Sequence, residues 1–84
     1  MTQTTEILNI TQEECAEVIQ SISKIHRFGF DIHNAKENFE HEIGDVLCMI
    51  DLLVENCIVS DSNINEARKA KREKLKLWSK IENL

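Results

Sequence analysis

The sequence predicts an all-α fold, and three observations support this prediction. Apolar residues recur at three- and four-residue steps, the chain contains no proline, and only two glycines interrupt it. At 84 residues the chain makes one domain, and a domain this short buries a small share of its surface. We therefore expect a single domain over residues 1–84, a helical bundle of three helices per chain that is completed by oligomerisation. The helices should span about residues 5–28, 35–56 and 62–82.

The first helix should begin near Thr4 or Thr5, either of which can cap it, and end just before Gly29. A competing start at Thr11 would shorten the helix by two turns, because Thr11 and Glu14 have the spacing of a capping box. The apolar residues upstream of this point favour the earlier start. The expected apolar stripe consists of Leu8, Cys15, Val18, Ile19, Ile22 and Ile25.

The second helix should begin around residues 34–36, and its apolar residues repeat at helical spacing as far as Val54. Gly44 lies inside it, where a glycine costs on the order of 1 kcal/mol relative to alanine. Its presence indicates a close helix approach, room for a ligand, or a tolerated change of sequence. The apolar positions are Phe39, Ile43, Val46, Leu47, Ile50, Leu53 and Val54.

The third helix follows a polar run, residues 60–63, that supplies several possible caps. Its apolar face is narrow and its composition is basic. Such a helix is better suited to pack against a partner or to close over a ligand than to lie in the middle of a core. The apolar residues are Ile64, Ala67, Leu75, Trp78 and Ile81.

Charge is distributed unevenly around a formal net charge of -5. Residues 1–66 hold thirteen of the fifteen acids and three basic residues, whereas residues 67–84 hold seven basic residues and two acids. A basic segment is one sign of nucleic-acid binding, but aromatic residues for base stacking are few and tyrosine is absent. With so acidic a remainder, we expect no stable nucleic-acid binding.

The sequence also bears on location. It contains neither the ~20 consecutive apolar residues of a membrane span nor, at its start, the pattern of a signal peptide. The three cysteines have no spacing typical of a zinc site and lie within apolar helical patterns, which predicts buried free thiols in a reducing compartment. We therefore expect a cytoplasmic protein without a membrane partner.

The candidate chemistry lies in two pairs of acids, Glu14 with Glu17 and Glu42 with Asp45. Residues three apart are neighbours on one helix face, so each pair presents two carboxylates side by side. If the first two helices form an antiparallel hairpin, the pairs face each other, and four carboxylates then require a cation. Ligands that are all oxygen indicate Mg²⁺ or Mn²⁺ rather than zinc.

Each pair alone is weak support for a metal site, because solvated helices commonly carry acids at this spacing. The combination is stronger because the acids interrupt apolar stretches. Asp45 in particular lies between Ile43 and Val46, at the edge of the expected buried face, where a charge requires a partner.

The segments EECAEVIQSISKIHRFG and NFEHEIGDVLCMIDLLVE resemble the MazG-like family of all-α nucleoside triphosphate pyrophosphohydrolases, especially its short phage-type members. That family is marked by EExxE on one helix and ExxD on the next. The resemblance covers about residues 6–58 and extends more loosely through KAKREKLKLW in the third helix. The matching acids are Glu13, Glu14, Glu17, Glu42 and Asp45.

This resemblance implies hydrolysis of a nucleoside triphosphate between its α and β phosphates, giving the monophosphate and pyrophosphate. It implies Mg²⁺, or alternatively Mn²⁺, as the cofactor that neutralises phosphate charge and orients a water molecule. It also implies catalytic roles for Glu13 and Glu14, although Glu13 has the alternatives of binding a second metal or facing solvent. The implied metal ligands are Glu14, Glu17, Glu42 and Asp45.

Five further residues are candidates for binding the substrate. Lys24 and Arg27 follow Glu17 on a similar face of the helix and are candidates for binding phosphate. Alternatively, they are ordinary cations of the kind that a helix C-terminus favours. In the third helix Lys71 and Lys74 resemble the family's phosphate-binding positions and could reach the site of a neighbouring subunit. Asn38 is a candidate for contact with the sugar or base, or is a plain first-turn residue of its helix.

For the remaining candidates we favour ordinary structural roles. The three histidines match no metal motif and are expected to face solvent, and Phe28 and Trp78 are expected to pack at helix or subunit interfaces. Because the core is thin, we expect a homodimer or homotetramer with the acidic site near a subunit interface. The rival hypothesis is a non-catalytic helical interaction or regulatory module whose acids are merely solvated or hold a structural cation.

Overall fold

A computed structural model of the chain describes residues 2–84. Three α-helices make up this part: α1 (Gln3–Phe28), α2 (Ala35–Glu55) and α3 (Asp61–Trp78). No strand occurs in the described residues, which confirms the all-α prediction. None of the three helices combines the length and apolar character that crossing a membrane requires.

The N-terminus of α1 lies slightly earlier than predicted. The cap is Thr2, whose Oγ1 accepts a hydrogen bond of 3.1 Å from the backbone N–H of Thr5, so neither Thr4 nor Thr5 is the cap. The alternative start at Thr11 is wrong. Thr11 lies within the helix, and its hydroxyl donates a 2.7 Å hydrogen bond to the carbonyl oxygen of Ile7 one turn earlier.

Residues 29–34 connect α1 to α2 in a short turn. Gly29 follows α1 with φ of 89°, a conformation that favours glycine, and donates its N–H to the carbonyl oxygen of Ile25 at 2.8 Å. This confirms the predicted end of α1. His33 and Asn34 are also left-handed, with φ of 56° and 57°, and α2 begins directly after them.

α1 and α2 pack against each other as an antiparallel hairpin. Besides the turn at one end, a 2.7 Å hydrogen bond from Gln3 Nε2 to Asn56 Oδ1 joins the start of α1 to the end of α2 at the other. The side chains between the helices recur at alternating three- and four-residue steps, and we call this contact line the seam. The seam consists of Ile7, Thr11, Glu14, Val18, Ser21 and Ile25 in α1, and Ala35, Phe39, Glu42, Val46, Met49 and Leu53 in α2.

The core of the single chain is small. Among residues 2–84 only Ile7 and Met49 are buried, each with 7% of its surface exposed. The predicted stripe of α1 was therefore partly wrong, because Leu8, Ile19 and Ile22 lie outside the seam and are exposed. The radius of gyration is 15.4 Å, whereas a compact domain of this length has about 12 Å.

α3 begins as expected and ends early. Ser60 caps it, since Ser60 Oγ accepts a 3.3 Å hydrogen bond from the N–H of Asn63. The helix ends at Trp78 and not near residue 82, because Ser79 adopts an extended conformation and its hydroxyl donates to the carbonyl oxygen of Leu75 at 2.7 Å. α3 has almost no contact with the other two helices apart from its first turns beside the end of α2.

Two further expectations are corrected by the structure. A Cβ added at Gly44 would meet no atom within 4 Å, so this glycine marks no close helix approach within the chain, and it lines neither the cavity beside the acids nor the one beside α3. The cysteines Cys15, Cys48 and Cys57 are free thiols, as predicted, but all three are exposed in the single chain and none is buried.

We predict that Gly44→Ala stabilises the protein by about 0.5–1 kcal/mol, because alanine fits the open helical position and restricts the unfolded chain. The free energy of unfolding in urea measures this. Gly29→Ala is the matched control, and it should destabilise by at least about 1 kcal/mol because of its positive φ. A destabilising Gly44→Ala would show that this side of α2 is in contact with another chain.

Candidate metal centre and adjoining cavity

Three carboxylates converge near the middle of the seam. One oxygen from each of Glu14, Glu42 and Asp45 lies within 4.8 Å of the other two. Glu14 and Glu42 are half-buried seam residues, and Asp45 is exposed beside them. Helical spacing explains the convergence: Glu42 and Asp45 are three apart on α2, and antiparallel packing brings Glu14 of α1 opposite them.

Glu17 lies next to this group but is not part of it. It lies one turn after Glu14 and lines a cavity together with Glu42. Its charge nevertheless acts on Glu14. Of the four predicted metal ligands, the structure therefore brings three together and leaves the fourth at their edge.

The convergence raises the pKa of Glu14 above its ordinary range. Loss of hydration is the largest cause, followed by the negative charges of Asp45, Glu42, Glu17 and Glu13. Glu13 is exposed and contributes the weakest of these effects. A cation bound beside Glu14 would offset the negative charges that raise its pKa.

The donor set fits a hard divalent cation. Oxygen atoms around Mg²⁺ at its usual bond length are about 3 to 4 Å apart, so oxygens within 4.8 Å of one another need only small side-chain rotations to bind one ion. All of the ligands are carboxylate oxygens, which favours Mg²⁺ or Mn²⁺ over zinc or copper. Three protein ligands also leave coordination positions for water and phosphate.

A cavity of about 360 Å³ opens from this group toward the turn between α1 and α2. Acidic residues lie at one end of its wall, and apolar side chains of Phe28 and Ile32 lie at the other. This gradient from charged to apolar suits a molecule with a polyanionic part and a flat or apolar part. The lining comprises Glu17, Gln20, Ser21, Lys24, Phe28, Ile32, His33, Ala35, Asn38 and Glu42.

The predicted substrate-binding residues divide into two groups. Lys24 and Asn38 line the cavity. Asn38 is also oriented by its own contact, since Nδ2 donates a 3.4 Å hydrogen bond to the carbonyl oxygen of His33. Arg27 is not in the lining, and its guanidinium carbon lies 6.0 Å from the ring centroid of Phe28.

Lys71 and Lys74 are exposed on α3 and are not brought to the carboxylates within one chain. Sequence reasoning had also missed five cavity residues, Gln20, Ser21, Ile32, His33 and Ala35, and had favoured interface packing for Phe28, which lines the cavity as well. Gln20 and Ser21 lie between Glu17 and Lys24 at helical spacing, and this periodicity could have identified them. No sequence signal marks His33, because its position depends on the left-handed turn.

The comparisons with known proteins agree with this geometry. A family model described as the MazG nucleotide pyrophosphohydrolase domain matches residues 2–76, which is most of the chain. Neither the curated proteins nor the solved structures that were compared with the chain contain a match.

We predict that stability without metal declines relative to Glu14→Gln as the pH rises. The pKa of Glu14 is raised in the folded state, so its contribution to stability is complete below the ordinary pKa and is lost as the pH rises through the raised value. Urea unfolding with chelator, from about pH 4 to about pH 7, measures this. Glu66→Gln, which removes an exposed acid of α3, is the control. A decline no steeper than that of Glu14→Gln would contradict the prediction.

We also predict that Mg²⁺ raises the melting temperature of the protein. A ligand that binds only the folded state at a hundred times its Kd adds about 2.7 kcal/mol, which is a shift of roughly 10–20 °C for a domain of this size. Asp45→Asn should lose most of the shift, whereas Asp51→Asn, which alters an exposed acid outside the group, should keep it. Equal shifts in both variants would place the cation elsewhere.

Proposed function

Because the chain belongs to the MazG nucleotide pyrophosphohydrolase family, we propose that it cleaves nucleoside triphosphates between the α and β phosphates, with Mg²⁺ as the cofactor. The family is one of hydrolases that act on nucleoside triphosphates and generally depend on a divalent metal. The observation that carries the proposal is the convergence of Glu14, Glu42 and Asp45 at the end of a cavity.

Glu14, Glu42 and Asp45 would hold the metal, and Glu17 would complete the set or bind through water. Bound there, a divalent ion would neutralise phosphate oxygens and lower the pKa of a coordinated water. The half-burial of Glu14 and Glu42 supports this assignment, since electrostatic interactions strengthen where water is partly excluded.

The remaining acids and polar residues would position the reactants. We assign Glu13, which adjoins Glu14, to orienting the attacking water and accepting its proton. The new bond joins the water oxygen to the α phosphorus, the bond from that phosphorus to the bridging oxygen breaks, and pyrophosphate leaves. Lys24 would bind a phosphate oxygen, and the amide of Asn38 would bind the sugar or base.

The proposal extends to a second subunit and to location. Lys71 and Lys74 are distant from the carboxylates of their own chain, so a phosphate-binding role requires that they act at the site of a neighbouring copy. A homodimer or homotetramer is supported by the small core of the single chain. Free thiols without disulfides support action in the cytoplasm.

We predict that pyrophosphate is released from at least one of the eight common ribo- and deoxyribonucleoside triphosphates with Mg²⁺ and not with chelator. Glu42→Gln should reduce kcat by at least about 100-fold, because losing a metal ligand removes several kcal/mol of charge stabilisation. Glu40→Gln, an exposed change on the same helix, is the matched control. The preferred nucleotide identifies the base and sugar that the cavity accepts.

No release from any of the eight nucleotides, with wild type and Glu42→Gln alike, would overturn the proposal for these substrates. The non-catalytic interaction module would then be the better account. Binding of Mg²⁺ followed by melting temperature shows whether the acids hold a cation in that case.

We predict that Lys24→Ala raises KM about tenfold, whereas Arg27→Ala changes KM by less than about twofold. The reason is that Lys24 lines the cavity and Arg27 does not. Steady-state kinetics with the preferred nucleotide measures both. The opposite ranking would mean that the triphosphate extends along the outer side of α1.

A further inference from the structure

The wall of the cavity beside the acids ends in an exposed aromatic ring. Phe28 and Ile32 line the end of the cavity opposite the acids, and 53% of Phe28 and 45% of Ile32 remain accessible. The sequence contains three phenylalanines and one tryptophan, all within residues 2–84, and of these four side chains only Phe28 lines the cavity. Metal and phosphate binding do not require an aromatic ring, so the residues assigned to them leave the place of Phe28 unexplained.

The end of α1 fixes the position of Phe28. It is the last residue of the helix, and the N–H of Gly29, which follows it, donates to the carbonyl oxygen of Ile25 at 2.8 Å. Lys24 lies one turn earlier on the same face of the helix. Because helical side chains lean toward the N-terminus of their helix, the ring of Phe28 leans toward the turn that carries Lys24. The ring therefore adjoins the residue proposed to bind phosphate.

The two faces of the Phe28 ring have different surroundings. The guanidinium carbon of Arg27 lies over one face, 6.0 Å from the ring centroid, which is the outer limit of a cation–π contact. Arg27 does not line the cavity, so the face that it covers is turned away from the cavity. The opposite face is left for a ligand that enters the cavity. A flat aromatic group makes the largest contact with such a face.

The order of groups along the cavity matches the order of groups in a nucleotide. Glu17 and Phe28 are eleven residues apart, which corresponds to about 16 Å along the axis of α1. Lys24 and the polar side chains of Ser21 and Asn38 line the wall between these two ends. A nucleoside triphosphate likewise has anionic phosphates, then a polar sugar, then a flat base. When its phosphates lie at the acids and Lys24, its base lies at Phe28.

We propose that the free face of Phe28 stacks on the base of the bound nucleotide, and that this contact makes the site select nucleotides over inorganic polyphosphate. This role rests on the proposed function, because the base belongs to the substrate whose phosphates the acids and Lys24 bind. Stacking recognises the π-face that every base has, so it distinguishes one base from another only weakly. The choice among bases is left to the polar groups at the same end, His33 and Asn38.

The first test compares ligands with and without a base. Hydrolysis-resistant α,β-imido analogues of a purine and a pyrimidine nucleoside triphosphate, and inorganic tripolyphosphate, are each titrated by calorimetry in the presence of Mg²⁺. Phe28→Ala should weaken the binding of each analogue that wild type binds by at least about tenfold, which is within the range for loss of one base–aromatic stack. The same change should alter tripolyphosphate binding by less than about twofold.

Phe30→Ala is the matched control. Phe30 lies in the turn of residues 29–34 and is 52% accessible, much like Phe28, but it does not line the cavity. Its removal should leave both affinities within about twofold of wild type. If Phe28→Ala weakened nucleotide and tripolyphosphate equally, the ring would have a structural or interface role, and the proposal would be overturned. It would also be overturned if Phe28→Ala weakened neither.

A second test detects the stacking contact directly and keeps an aromatic ring at the position. The chain has one tryptophan, Trp78, at the end of α3. Phe28→Trp combined with Trp78→Phe leaves a single indole in the cavity wall, and its fluorescence should be quenched severalfold more by the nucleotide analogue than by tripolyphosphate. Phe30→Trp combined with Trp78→Phe is the control and should show no such difference. Equal quenching in the two variants, or none in either, would overturn the proposal.

The outcome is separate from that of the proposed function. Pyrophosphate release that survives Phe28→Ala with an unchanged KM keeps the activity and removes this role of Phe28. Nucleotide binding that requires Phe28, in a protein that releases no pyrophosphate, keeps the base contact and removes the activity.

Discussion

The seam between α1 and α2 is the contact on which the other features of the chain depend. It holds Ile7 and Met49, the two buried residues of the described part of the chain, and the half-buried acids Glu14 and Glu42. Its apolar contacts must therefore supply the free energy that keeps like charges together. Because the helices are antiparallel, the cavity opens on one side of the hairpin, whereas the exposed apolar side chains of α1, Leu8, Ile19 and Ile22, lie on the other.

The acidic group lowers the stability of the folded chain. Burial and neighbouring charges raise the pKa of Glu14, which means that the folded chain holds this carboxylate in an unfavourable state. A destabilising arrangement of this kind is commonly kept at a site because it also binds a ligand. The family is one of hydrolases that act on nucleoside triphosphates and generally depend on a divalent metal, and a cavity of about 360 Å³ lies beside the acids.

Sequence reasoning predicted the helices from their apolar periodicity, and it predicted the three converging carboxylates from acids three residues apart on two helices that were expected to form an antiparallel hairpin. It misjudged the end of α3, where Ser79 is extended and both its N–H and its hydroxyl donate to the carbonyl oxygen of Leu75, a local arrangement that helix propensity does not describe. It also merged two apolar stripes of α1 into one. Val18 and Ile19 are both apolar, and only the position of the partner helix shows that Val18 lies in the seam and Ile19 outside it. The positions of Arg27, Lys71 and Lys74 relative to the site depend on tertiary packing, and a one-dimensional pattern does not contain that information.

The turn formed by residues 29–34 has a role beyond connecting two helices. Three of its residues, Gly29, His33 and Asn34, adopt left-handed conformations, so the turn has a defined shape and a defined length. α2 rotates by about 100° for each residue added or removed before it, and the seam accepts only the rotation that keeps its apolar side inward. The length of the turn therefore determines which residue of α2 lies opposite Glu14. An insertion would have to be absorbed within these six residues or it would separate the carboxylates.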